Sequence, residues 1–482
     1  MNYSMIRYVL AWVVMIVGLF MALPAIIGLI YGEYTQAVKY LICCACCVAA
    51  GAVVRCFKPK NTEIYQREGY FIAGLAWVVM SLVAAIPLVW TGDMPKYIDA
   101  LFEIVSGFTT TGVSAIPNIE VVSRASVFWR SLSHWLGGMG IIVFVLMLMP
   151  VRHGSSMNLM VAESPGPDVS KFVPHVRSTA VLLYKIYIVM TLVMVALLFI
   201  SGMSMFDSWC ITFGTAGTGG FATLSDSCMS YTAAQQWIIT TFMFLFGTNF
   251  GFFYLIVSKK PAQAFKMEET RVYLGIIIVV VALVTINVYS MYGNFGDTFR
   301  HAAFNVGSIM STTGFYSTNF NLWPMLSRSL LYLVMFTGAC AGSTAGGIKI
   351  SRIIILAKSV AAEIHSSIHP RSVKKIKMNG KVIGERQLRA VHVFFIAYIM
   401  IFALSVIVIS VDNWDFETNF VAVASTLNNI GCGFGKIGPL GDSFADFSIL
   451  YKIVLILDML IGRLEVIPML ILLNPASWRK RG

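Results

Sequence analysis

Apolar runs long enough to cross about 30 Å of hydrocarbon, which takes roughly 20 residues, begin near Tyr8, Val38, Ile72, Phe128, Thr179, Trp237, Val272, Leu330, Val391 and Ile449. The pattern predicts ten membrane spans. Four of the polar interruptions between them read alike: "SGFTTTGVS" ending at Ser114, "GTAGTGGFAT" at Thr223, "SIMSTTGFYST" at Thr318 and "STLNNIGCGFG" at Gly435. Their central glycines align as Gly112, Gly220, Gly314 and Gly431. Before each glycine lies a stretch of helical character, and Asp99, Asp207 and Glu417 open three of these stretches, as acids do at helix N-termini.

The unit is therefore a span, a short re-entrant helix, a glycine loop and a second span, and it occurs four times. The expected fold is an all-α polytopic membrane protein with fourfold pseudosymmetry. Its expected parts are an N-terminal hairpin of two spans over 1–68, repeats over 69–152, 178–260, 270–360 (with a broken last helix) and 389–475, a basic loop over 361–388 and a basic tail over 476–482.

Composition agrees: 57% of residues are hydrophobic and 12% charged. The net charge of +12 raises the question of nucleic acid, but its placement answers it. Basic residues gather in alternate loops (Arg55, Lys58, Lys60, Arg67; Arg152, Lys171, Arg177; Lys259, Lys260, Lys266, Arg271; Arg371 to Arg389; Arg479 to Arg481), while Asp93, Asp99, Glu120, Asp207, Asp226, Asp412 and Asp415 lie in the others. By the positive-inside rule both termini are expected in the cytoplasm, with membrane lipid and not nucleic acid facing the charge. The "CCACC" of Cys43 to Cys47 reads as small-residue helix packing, and nothing pairs the nine cysteines into a disulfide framework.

The four glycine loops would enter the membrane from the outer side. Irregular backbone survives at that depth only when buried in protein or lining a watery cavity. Four such loops about one axis would present a ring of neutral oxygens, the chemistry of a monovalent-cation filter. The candidate ion-binding residues are Thr110, Thr111, Gly112, Gly219, Gly220, Thr312, Thr313, Gly314, Asn429, Ile430 and Gly431. Within the eighth run, "TGACAGSTAGG" is too rich in glycine to stay helical and should break at Gly338, Gly342, Ser343, Thr344, Gly346 and Gly347, facing the bundle interior. Arg463 stands deep in the last span, where a charge is usually a pathway residue. Glu465, two positions on, points elsewhere on a helix, Asp458 is a second intramembrane charge, and His134 is read as a polar contact near the outer end of its span.

These loops, with "WLGGMGIIV" from Trp135, "GACAGSTAGGIKISR" from Gly338 and "MLIGRLEV" from Met459, resemble the Trk, Ktr and HKT superfamily of potassium transporters, most closely the Trk-type potassium uptake membrane subunit. The extra N-terminal hairpin favours Trk over the shorter Ktr type. The resemblance implies potassium (K+) as the transported ion, held at the four glycine loops, an intramembrane gate at 338–347, and Arg463 as a barrier facing the pore. It also implies a homodimer in a prokaryotic inner membrane and a separate cytoplasmic RCK-type nucleotide-binding regulatory subunit. Cys432 departs from the proline common in the family, and Asp458 is not an expected acid there.

Other classes fit less well. A sodium- or proton-coupled carrier with alternating access would show inverted repeats, whereas these run in one orientation. An enzyme would place paired carboxylates or a histidine cluster at membrane depth. "GSTAGGIK" lacks the ending of a phosphate loop, so no nucleotide site is expected in this chain.

Overall fold

A computed structural model of the chain describes residues 2–59, 64–140, 176–372, 375–441 and 443–475. The end of the first expected repeat (to 152), Lys60, Arg152, Lys171, Lys374 and the tail 476–482 lie outside the described residues. The described chain is helical, with one small hairpin.

The N-terminal unit is α1 (Tyr3–Phe20), α2 (Ala22–Ile30) and α3 (Tyr34–Cys56). Helices α1 and α3 approach closely because small residues face each other: a Cβ on Gly51 would sit 2.8 Å from the Ala11 carbonyl oxygen, and one on Gly18 would collide with Cys47. This is the packing role expected of the cysteine-rich stretch.

Next come α4 (Gln66–Thr91), α5 (Tyr97–Phe108) and α6 (Arg124–Gly138), then α7 (Val176–Ile200), α8 (Met205–Gly217), α9 (Ala233–Phe246), α10 (Phe250–Val257) and α11 (Pro261–Phe265). They are followed by α12 (Glu268–Tyr292), α13 (Phe295–Met310), α14 (Met325–Thr337) and α15 (Ile350–Ile368), and after the hairpin by α16 (Glu385–Ile409), α17 (Phe416–Leu427), α18 (Ile449–Leu464) and α19 (Val466–Leu473). The order long helix, short helix, loop, helix thus occurs four times. Helices α4, α7, α12 and α16 each begin a few residues before the expected repeat boundary.

Six helices among the described residues are long and apolar enough to cross a membrane: Tyr3–Ile30, Tyr34–Cys56, Arg67–Thr91, Ala180–Ile200, Glu268–Tyr292 and Glu385–Asp412. The other four expected spans are not continuous over the described residues. The one from Phe128 ends as a helix at Gly138. The one from Trp237 bends by 90° between Phe246 and Phe250. The one from Leu330 stops at Thr337 and resumes at Ile350, and the one from Ile449 breaks at Glu465, whose φ is 66°. Among the described residues each second helix of the unit is thus broken or ends where its glycines meet the glycine loops or the helices that lead into them.

The short helices start as their sequences require. Ser204, Asn294 and Asp415 cap α8, α13 and α17 by accepting backbone N–H bonds. Asp297 is a first-turn acid on α13, completing the set with Asp99, Asp207 and Glu417. Within the basic loop, β1 (Lys377–Met378) and β2 (Lys381–Val382) pair antiparallel about Asn379 and Gly380, both at positive φ, as an Asn-Gly hairpin turn demands.

Candidate functional site: four glycine loops and a broken helix

All four short helices terminate in one way. In each, an α-left residue (Thr110, Thr218, Thr312 or Asn429, φ 54–58°) is followed two positions on by a glycine at φ 80–96° (Gly112, Gly220, Gly314, Gly431). The residue between them donates its amide to a carbonyl five residues back, at 2.8 Å in every case: Thr111 to Ser106, Gly219 to Gly214, Thr313 to Ser308 and Ile430 to Ser425. With the accompanying bond from the α-left residue to the carbonyl three back, this is the Schellman closure of a helix C-terminus. Glycine or asparagine usually fills the α-left position; three of these are β-branched threonines, a costly choice kept where the surroundings dictate the backbone.

The loops close on one another. A Cβ on Gly112 would collide with the carbonyl oxygen of Gly219, one on Gly220 with that of Thr313, one on Gly314 with that of Ile430, and one on Gly431 with that of Thr111. The cycle returns to its start, so the four loops form a ring in which each glycine faces the preceding carbonyl of the next loop. Glycine is required twice over, by its φ and by the neighbouring oxygen. The loop residues Thr110, Thr111, Thr312, Thr313, Asn429 and Ile430 are fully buried. Asn429 crosses between loops, donating to the Thr111 hydroxyl at 2.9 Å and to the Met459 carbonyl at 3.0 Å.

The break between α14 and α15 lies against this ring. Gly346 donates its amide to the Thr312 hydroxyl at 2.7 Å, and a Cβ on it would collide with the Asn428 carbonyl oxygen. The segment doubles back on itself, since a Cβ on Gly338 would lie 2.7 Å from the Gly346 carbonyl oxygen. It is joined to the bend after α9 by bonds from Cys340 N to Gly247 O (3.1 Å) and from Phe250 N to Gly342 O (2.9 Å). Arg463 reaches it too: Nη1 donates to Thr344 O at 2.7 Å, while Nη2 donates to Gly137 O at 2.5 Å and Gly138 O at 2.8 Å. Glu465 pairs with Arg352 of α15. The structure thus brings the residues expected for the gate and Arg463 together beside the loop ring.

A family model described as a cation transport protein, TrkH, matches residues 36–480. The chain belongs to the TrkH family. The Trk system potassium uptake protein TrkH of Salmonella typhimurium is 32% identical over the whole of both chains, and that of Vibrio parahaemolyticus is 34% identical over 97% of this chain and 99% of its own. The crystal structure of the potassium transporter TrkH from Vibrio parahaemolyticus matches with a TM-score of 0.89 at 30% identity, covering 99% of this chain and 100% of that one.

Around the TrkH core stand contacts that sequence reasoning missed. Glu103, fully buried in α5, pairs with Arg130 of α6 at 2.6 Å and accepts from Ala115 N at 2.9 Å, just beyond the first loop. Arg130 donates to Ala222 O at 3.2 Å and lies over the Phe221 ring, just beyond the second loop. Lys452 pairs with Asp99 at 2.7 Å, and Arg328 with Glu417, so two first-turn acids also bind cations from neighbouring helices. The available signal was an acid or base inside an otherwise apolar stretch, such as Glu103 in "ALFEIV".

His134 stands ten residues into α6 and is fully buried. Its Nε2 accepts from Phe221 N at 3.2 Å, so Nδ1 carries the proton given to Gly107 O at 2.8 Å. The neutral ring is a fixed strut between the first and second loops. Asp458 is buried and accepts from Ser405 at 2.7 Å, and its other oxygen has no hydrogen-bond partner among the described residues.

Proposed function

We propose that the chain takes up potassium across the cytoplasmic membrane of a prokaryote, through a central pore whose selectivity filter is the ring of four glycine loops. The observation that carries this reading is the closed cycle of glycine-to-carbonyl contacts through Gly112, Gly220, Gly314 and Gly431. Four equivalent helix ends around one axis give fourfold pseudosymmetry. The carbonyls of Thr111, Gly219, Thr313 and Ile430 supply oxygens that replace the hydration shell of the ion, and the C-terminal ends of α5, α8, α13 and α17 add partial negative charge.

The segment 338–349 is the intramembrane gate, and Arg463 reinforces it as a cation that K+ must pass. A homodimer, both termini in the cytoplasm and a cytoplasmic nucleotide-binding regulatory subunit belong to the same reading, and the basic segment before α16 is the surface offered on that side. The names of the relatives support potassium as the ion.

The test is ion flux into liposomes containing the purified protein. Saturable K+ entry exceeding Na+ entry under the same gradient is expected. Equal entry of the two ions would contradict a potassium-selective filter, and entry that requires a proton gradient would favour a coupled carrier.

A further inference from the structure

Glu269, the second residue of α12, is 4% exposed. Its Oε1 accepts the Ala341 amide, inside the segment 338–349, at 2.6 Å, and the Ser351 amide, at the start of α15, at 3.2 Å. The side chain of Asn249, at the bend after α9, stands next to it. One carboxylate therefore joins the start of α12 to the middle of the broken segment and to the helix that resumes after it. Ser351 N is one of the orphan donors of a helix N-terminus, where an anion is favourable.

Neighbouring cations are engaged elsewhere: Lys349 donates to Ala345 O, and Arg352 pairs with Glu465. Among the described residues Glu269 makes no salt bridge with a Lys or Arg, although Lys349 is close enough to feel its charge; the contacts it does make hold two amides at one oxygen.

The helix end that carries it is itself fixed. Glu268 pairs with Lys358 of α15 and accepts the Asn379 amide at 3.3 Å, while its own amide donates to the Asn379 side chain at 2.8 Å. The start of α12 is thus tied to α15 and to the turn of the cytoplasmic hairpin, and Glu269 extends from that anchored point into the broken segment.

We propose that Glu269 is a positioning residue that latches the segment 338–349 in its shut arrangement, an inference that rests on the gate reading given above. Opening requires the Ala341 amide to leave Oε1. Alanine removes the acceptor. Aspartate keeps the charge but is one methylene too short to serve both amides. Glutamine keeps a carbonyl oxygen at the same reach.

The experiment compares K+ flux into vesicles holding the purified chain alone, at matched protein, for the parent, Glu269→Ala, Glu269→Asp, Glu269→Gln and a variant shortened within 342–346. A parallel readout is the rate at which Ser343→Cys, with and without each Glu269 change, reacts with a water-soluble maleimide. Several-fold higher flux and faster labelling are expected for Glu269→Ala and Glu269→Asp, with Glu269→Gln close to the parent. Should Glu269→Ala fail to fold, Glu269→Asp carries the test. Parent-like flux in Ala and Asp together with raised flux in the shortened variant would overturn the latch and leave the gate standing. Parent-like flux in the shortened variant as well would overturn the gate reading, and the latch with it. A glutamine variant as open as the alanine variant would show that charge and not reach is what matters, and would overturn the positioning role.

Discussion

Arg463 and Thr344 are joined by a 2.7 Å hydrogen bond from the guanidinium to the backbone carbonyl, across the space between the last span and the broken helix. The same side chain holds Gly137 O and Gly138 O at the end of α6. A single cation therefore bridges three parts of the molecule, bonded to carbonyls at the end of α6 and in the middle of the broken segment.

Removing it acts in one direction through two causes. A hydrogen bond to a charged group contributes about 1.5–3 kcal/mol, so Arg463→Ala loosens the segment 338–349, and it also takes a positive charge from the proposed path of the ion. We expect K+ flux through the chain alone to rise by on the order of tenfold, since about 1.4 kcal/mol is a factor of ten. Unchanged flux in folded protein would show that Arg463 neither holds the segment nor opposes the ion.

The buried pair of Glu103 and Arg130 gives a prediction about stability and the filter together. Cutting one partner from a buried pair costs about 3–5 kcal/mol, because the other charge is left without compensation. Glu103→Ala is therefore expected to lower the thermal midpoint substantially and to reduce potassium preference in the protein that remains, since Ala115 N loses its acceptor next to the first loop. A midpoint equal to that of the parent would mean that the pair is dispensable.

Much of this was legible in the chain. The four glycine loops, the short helices with their leading acids and the break after Thr337 follow from spacing, glycine content and the rule against bare backbone in lipid. Two things were not. The reason for glycine at positions 112, 220, 314 and 431 is half conformational and half a collision with the next loop, and that collision exists only once the four loops meet. Contacts such as Glu269 to Ala341 or Lys452 to Asp99 join residues far apart in sequence, so the isolated charge is visible locally but its partner is not. The Asn379–Gly380 hairpin is different: its signal was in the sequence, within a loop read only for its charge.

Asp415 supplies a pH-dependent prediction outside the spans. The Thr418 hydroxyl and then the Thr418 amide, both donating to it, hold its carboxyl below the ordinary value. A depressed carboxyl contributes stability above its unfolded-state value, and that stability is lost as pH falls through the folded value. Because the side chain is exposed and screened, the effect is small. Asp415→Ala should cost about 0.5–1 kcal/mol at neutral pH, as for a lost helix cap. The thermal midpoints of variant and parent should converge in acid. A gap that stays constant as pH falls would contradict the role of the ionised cap.

The central claim, that the ring through Gly112 selects the ion, is tested most directly by the ratio of K+ to Na+ entry into vesicles holding Gly112→Ser, at protein levels matched to the parent. The serine Cβ would collide with the Gly219 carbonyl oxygen and would sit on a residue with φ 85°, so one quarter of the ring must move. We expect the K+ to Na+ ratio to fall several-fold while folded protein remains. Gly137→Ser, whose Cβ meets the Phe108 carbonyl at the end of α5, should mainly lower the amount of folded protein. A Gly112→Ser variant that keeps the parent's ratio would contradict the account.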